Sequence, residues 1–180
     1  MKLRNLILTA LFAALTAIGA FIRIPFAFSS ITLQFFFTAM AGVLLGARWG
    51  AASQAVYVLL GLVGLPIFTQ GGGFSYVLQP TFGFLVGLIP AAWLIGYMSR
   101  KKSGFWWLCL SCLAGLGVLY LIGMPYMAVI LNVYLAKGMS LRSLLMAGML
   151  PFLPGDMVKI AVTALLCGRL RPVLSRYLPQ

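Results

Sequence analysis

The sequence predicts an all-α integral membrane protein of six transmembrane helices with both termini in the cytoplasm. Three observations point there. Hydrophobic residues fill 63% of the 180 positions and charged residues 8%, against about 25% charged in a soluble domain. The apolar residues fall in successive runs near the ~17–25 residues that cross a bilayer core. The cations lie between those runs, as topology signals do, and do not gather on a soluble face. The net charge of +12 is therefore read as a membrane signal, not as a nucleic-acid footprint. Residues 1–180 read as a single six-helix transmembrane domain.

The first span covers about residues 5–22. Lys2 and Arg4 precede it as in a signal peptide, but the run from Leu6 to Ile22 has the length of a spanning helix and more runs follow. The second span, 31–47, and the third, 50–66, are joined almost without a loop by GARWG. Gly46 and Gly50 give that turn backbone freedom, and Arg48 and Trp49 suit the headgroup layer. The glycine-rich connection LPIFTQGGGFSYVLQP leads to the fourth span, 79–98. SRKKSG then separates it from the fifth, 105–123. In the connection 124–153, an apolar stretch at 126–136 either extends the fifth helix beyond a kink at Pro125 or lies at the surface. The sixth span is 154–170.

Charge counting sets the direction. With the N-terminus inside, nine cations fall inside: Lys2, Arg4, Arg48, Arg100, Lys101, Lys102, Arg169, Arg171 and Arg176. Three fall outside: Arg23, Lys137 and Arg142. This bias favours cytoplasmic termini.

Asp156 is the only Asp or Glu in the chain, and Lys159 follows it by three residues in PFLPGDMVK. Pro154 can open the sixth helix without losing an interior hydrogen bond. Asp156 then meets the positive end of the helix dipole, with Lys159 one turn deeper on the same face. A helix cap plus a snorkelling lysine is the plain alternative. Ionisable residues in membrane segments more often pair, face a cavity or carry function. We read the pair as a ligand site: Asp156 accepts ligand N–H groups, and Lys159 attracts an anion or holds Asp156.

The outer connection supplies a candidate lid. Gly71, Gly72 and Gly73 are flanked by Phe68, Phe74 and Tyr76, aromatic faces suited to a ring or alkyl chain. Thr32 and Gln34 open the second helix on the same side and line the same chamber, unless Ser29, Ser30 or Thr32 merely caps that helix. Asn132 and Tyr134 reach inward from the fifth connection. In the first helix, LTALFAALTAIGAF presents Ala10 and Ala14 on one small-residue ridge and Thr9, Ala13 and Ala17 on another. Such ridges permit close helix approach in lipid, to a partner or to the protein's own helices.

With no His and one carboxylate, the chain has little material for acid–base or metal catalysis. It is read as a non-enzyme without a cofactor. Cys109, Cys112 and Cys167 lie in apolar runs, and WWLCLSCLAG has no flanking ligand to make its CxxC a metal site. No P-loop is present, so powered transport needs another protein or an ion gradient.

The ordered set ITLQFF (31–36), GLVGLPIFTQGGG (61–73), PTFGFLVG (80–87) and PFLPGDMVK (151–159) resembles the BioY family. These are biotin-specific substrate-binding subunits, or S components, of energy-coupling factor transporters. The resemblance covers nearly the whole chain. It implies the six-helix S-component fold, high-affinity biotin capture from outside, and residence in a bacterial or archaeal cell membrane. It implies a transmembrane coupling subunit and two ATP-binding subunits as partners. Asp156 and Lys159 match the family's charged pair, Gly61 to Gly73 its substrate-covering region, and Ala13 with Ala17 its coupling face. Thr69, Gln70 and Phe82 depart from the family pattern. An S component for another vitamin, such as thiamine or riboflavin, and a membrane scaffold without a ligand are the rival readings.

Overall fold

A computed structural model describes residues 3–26, 29–102 and 104–174. Lys2 and Arg176, counted in the charge tally, lie outside them, as does the side chain of Ser29. Helix α1 (Leu3–Phe21) leads into a hairpin of β1 (Arg23–Phe26) and β2 (Ser29–Thr32), antiparallel with Arg23 opposite Thr32. Then come α2 (Gln34–Leu62), a 3-10 turn (Phe74–Leu78), α3 (Phe82–Ser99) and α4 (Phe105–Val129). A π turn (Ile130–Tyr134), the short α5 (Leu141–Gly148) and α6 (Leu153–Leu174) complete the chain.

Helix α2 is folded back on itself. Gly46 has φ 79° and ψ 179°, far from helical values. Gln34 bonds Tyr57 and Thr38 bonds Gln54 across the break. A Cβ added to Gly50 would lie 3.0 Å from the Cα of Gly42. In one continuous helix residues eight apart would be separated by about 12 Å. The pairs 34–57, 38–54 and 42–50 therefore define two antiparallel arms that turn at Gly46, within the GARWG segment.

Polar bonds lock α1 onto both arms. Thr38 Oγ1 donates to Gln54 Oε1 at 2.9 Å, and Gln54 Nε2 donates to Thr16 Oγ1 at 3.2 Å and Ser53 Oγ at 3.0 Å. These residues are fully buried, where paired polar groups fix one arrangement and unpaired ones would be costly. Close backbone packing does the rest. Gly96 of α3 lies so near Gly46 and Ala47 that a side chain has no room there. Small residues at such crossings let helices approach in lipid, where burial from water supplies no drive.

Among the described residues, four helices are long and apolar enough to cross a membrane, or five when the bent pair α5 and α6 counts as one span. The described residues are all-α apart from the small hairpin. That hairpin is the main local correction: residues 29–32 pair as a strand, so the second helix begins at Gln34, not at residue 31. The fifth helix runs through Pro125 to Val129, which decides between the two readings of 126–136. Proline removes one helical donor, a loss that neighbouring helices and local π geometry absorb in apolar surroundings.

Candidate functional site

Charged and polar side chains from five elements converge on a cavity at the end of the bundle where α6 begins. Phe152 O accepts from the Asp156 N–H at 2.9 Å, so Asp156 is held in the first turn of α6. Lys159 Nζ donates to Asp156 Oδ1 at 2.8 Å, and the two side chains are only 10% and 7% exposed. The lysine does not snorkel to the surface. Tyr120 of α4 donates to Asp156 Oδ2 at 2.7 Å. Each carboxylate oxygen thus holds one strong bond and keeps a second acceptor direction free, while the ammonium keeps two further N–H groups.

The opposite wall begins at the end of β2. Thr32 Oγ1 donates to Gln34 Oε1 at 3.0 Å, and Gln34 Nε2 donates to Tyr57 Oη at 2.8 Å. Tyr57 donates in turn to the Ile67 carbonyl at 3.1 Å. Thr69 and Tyr76 join at 2.9 Å. The space between these walls, its open mouth included, amounts to about 670 Å³. Phe84, Leu85, Leu88, Leu119 and Phe152 give it an apolar floor.

Of the residues expected from sequence, Asp156, Lys159, Thr32, Gln34 and Tyr76 line this cavity. Gly71, Gly72, Gly73, Phe68, Phe74, Asn132 and Tyr134 do not. Phe68 is buried behind the wall, against Tyr57 at 5.5 Å and Tyr76 at 4.6 Å between ring centroids. The glycine segment folds onto the end of α2, with Gly73 N–H donating to Gly61 O at 2.7 Å. Gly71 and Gly73 adopt φ of 112° and 103°, which favours glycine there for backbone reasons. Phe74 is 79% exposed and Tyr134 58%. Asn132 is engaged on both sides by Met139, donating to its carbonyl at 3.0 Å and accepting from its N–H at 2.7 Å.

Sequence reasoning missed Tyr120, Thr81, Ser30 and Thr69 as cavity residues. Tyr120 had a signal: tyrosine favours the membrane interface, and one in the middle of an apolar run needs a polar partner. Thr81 follows Pro80 and stands at the N-cap of α3, yet its side chain makes no capping hydrogen bond. Its hydroxyl oxygen is buried on the cavity wall without a partner among the described residues.

On α1, Thr9 and Ala13 are buried against the chain's own helices and Ala17 is half-buried, while Ala10 and Ala14 face outward.

Fold and site together define a membrane-embedded binding protein, with apolar helices around a charged and hydrogen-bonding cavity. The family model for the BioY family matches residues 1–176, and the chain belongs to that family. It is 45% identical to a probable biotin transporter BioY of Lysinibacillus sphaericus, covering 94% of this chain and 87% of the relative. It is 38% identical to the biotin transporter BioY of Thermotoga maritima, covering 94% and 96%. A 2.1 Å crystal structure of the S-component for biotin from an ECF-type ABC transporter superposes with a TM-score of 0.81. The identity there is 28%, over 95% of this chain and 92% of that one.

Proposed function

We propose that this chain is the biotin-capturing S component of an energy-coupling factor transporter, a transport subunit and not an enzyme. The observation that carries the proposal is the cavity with Asp156, Lys159 and Tyr120 at one end and apolar side chains below. Biotin has matching parts. Its ureido N–H groups suit the free acceptor directions of Asp156. Its ureido oxygen or its carboxylate suits the remaining N–H groups of Lys159. Its bicyclic body and alkyl tail suit the floor formed by Phe84, Leu88 and Leu119. Directional polar partners beside an apolar floor combine selectivity with burial.

Six crossings with both termini cytoplasmic belong to this proposal. Counting the arms of α2 separately and the bent α5–α6 pair as one span brings the four apolar helices to six. Arg48, Arg100, Lys101, Lys102 and Arg171 lie toward the bundle end away from the cavity, which supports a cavity open to the outside. The cell membrane of a bacterium or archaeon is the proposed location. A transmembrane coupling subunit and two ATP-binding subunits supply the power, because the chain carries no P-loop. Of the small-residue positions on α1, Ala10 and Ala14 are the ones left open to such a partner. Asn132, Tyr134 and the Gly71–Gly73 segment act from outside the cavity wall, by shaping its cover.

Uptake of labelled biotin by cells producing the chain with its coupling module tests the function. Asp156→Asn and Lys159→Met should each abolish most uptake while membrane insertion persists. Undiminished uptake in both variants would leave the scaffold reading standing instead.

A further inference from the structure

At the end of the bundle away from the cavity, the turn between α3 and α4 carries Arg100, Lys101 and Lys102, all exposed. Below it on α3, Trp93 and Tyr97 stack in parallel, 5.4 Å apart at 4° and each about half exposed. Lys101 Nζ lies 5.6 Å from the Tyr97 ring centroid. Trp93 and Tyr97 are four apart on one face of α3, and Lys101, in the turn just beyond the helix, extends their stripe through its contact with the Tyr97 ring. Lys102 Nζ lies 5.4 Å from the Trp107 ring of α4, and that indole donates to Met98 O at 2.9 Å. Arg171 of α6 adds a cation here by donating to Ser99 O at 2.7 Å.

These cations face a shortage of anions. The only carboxylate side chain in the sequence is Asp156, and Lys159 occupies it at the other end of the molecule. Cation–π contact steadies each ammonium against a ring but leaves its N–H donors available. The stripe also changes character along its length, from an exposed aromatic stack to a pair of cations. A phospholipid does the same, from acyl chain to phosphate.

We propose that the α3–α4 turn is a binding site for an anionic phospholipid. Its acyl chain lies along Trp93 and Tyr97, and its phosphate receives N–H groups of Lys101 and Lys102, with Arg100 beside them. The exposed aromatic stack favours lipid over an acidic protein segment, because such a segment has no group to cover apolar rings at bilayer depth. A zwitterionic lipid carries its own cation next to the phosphate and gains less from the site. The proposal rests on the membrane reading and not on the identity of the ligand in the cavity.

Native mass spectrometry of the purified full chain tests it, using mixed micelles with equal dioleoyl phosphatidylglycerol and dioleoyl phosphatidylcholine. A basic side chain near an anionic surface contributes about fivefold, so two lysines should give phosphatidylglycerol a retention advantage of about thirtyfold. Raising the salt should erode it. K101Q/K102Q should bring the two lipids near parity, whereas K101R/K102R should keep the preference. W93L/Y97L should reduce retention of both lipids. Biotin titration of every variant should be unchanged, which separates this site from the cavity and reports an intact fold. Equal retention of the two lipids by the unaltered chain, or a preference that survives K101Q/K102Q, overturns the proposal and leaves the basic turn to a protein partner.

Discussion

Tyr120 donates a 2.7 Å hydrogen bond to Asp156 Oδ2 from a helix that lies thirty-six residues earlier in the chain. Lys159 takes the other carboxylate oxygen at 2.8 Å. The single acid is thus clamped on the cavity wall between two donors of the chain itself. Such preorganisation lowers the ordering cost of binding.

Tyr120→Phe keeps the ring and removes one donor. A hydrogen bond to a charged group contributes about 1.5–3 kcal/mol, so biotin affinity should fall about tenfold or more. Calorimetric titration reads the change, and an unaltered Kd would place Tyr120 outside the binding machinery.

The buried pair predicts coupled stabilities. Removing one partner of such a pair costs about 3–5 kcal/mol because the other charge is left uncompensated. Asp156→Asn and Lys159→Met should therefore each lower the thermal unfolding temperature in detergent. The double variant should lose clearly less than the two losses combined. Simple additivity would mean that the two side chains do not support each other.

Thr81 separates stability from binding. Its buried hydroxyl has no partner among the described residues. Thr81→Val keeps the shape and removes a poorly satisfied polar group, so stability should hold or rise slightly. Biotin affinity should drop about fivefold, equivalent to roughly 1 kcal/mol for a lost neutral hydrogen bond. Stability and affinity falling together would make Thr81 a structural residue.

Gly96 tests the packing of α3 on the turn of α2. Even a methyl group there meets the backbone of Gly46 and Ala47. Gly96→Ala should destabilise by about 1–3 kcal/mol through overpacking. The cavity lies at the other end, so biotin affinity in the folded fraction should change little.

Much of this was legible in the sequence because membrane solvation leaves strong marks. Long apolar runs, cations between them and a lone acid beside a lysine located the helices and the centre of the cavity. The β-hairpin was less legible, since Arg23–Phe26 and Ser29–Thr32 are short and gain their order by pairing with each other. The glycine segment pointed to a lid because glycine and aromatics interleave. In the fold the glycines serve tight backbone turns, and Phe68 packs into the core behind the wall. Asn132 looked free to reach a ligand, but Met139 of the following loop takes its amide on both sides. Tyr120 escaped notice because its meaning depends on Asp156, a contact that only the folded chain brings about.

The most direct test is calorimetric titration of the purified chain with biotin, thiamine and riboflavin under one set of conditions. The account predicts submicromolar binding of biotin at one site per chain, greatly weakened by Asp156→Asn, and no comparable binding of the other two vitamins. Absence of submicromolar biotin binding by folded protein, or tighter binding of thiamine or riboflavin, would contradict it.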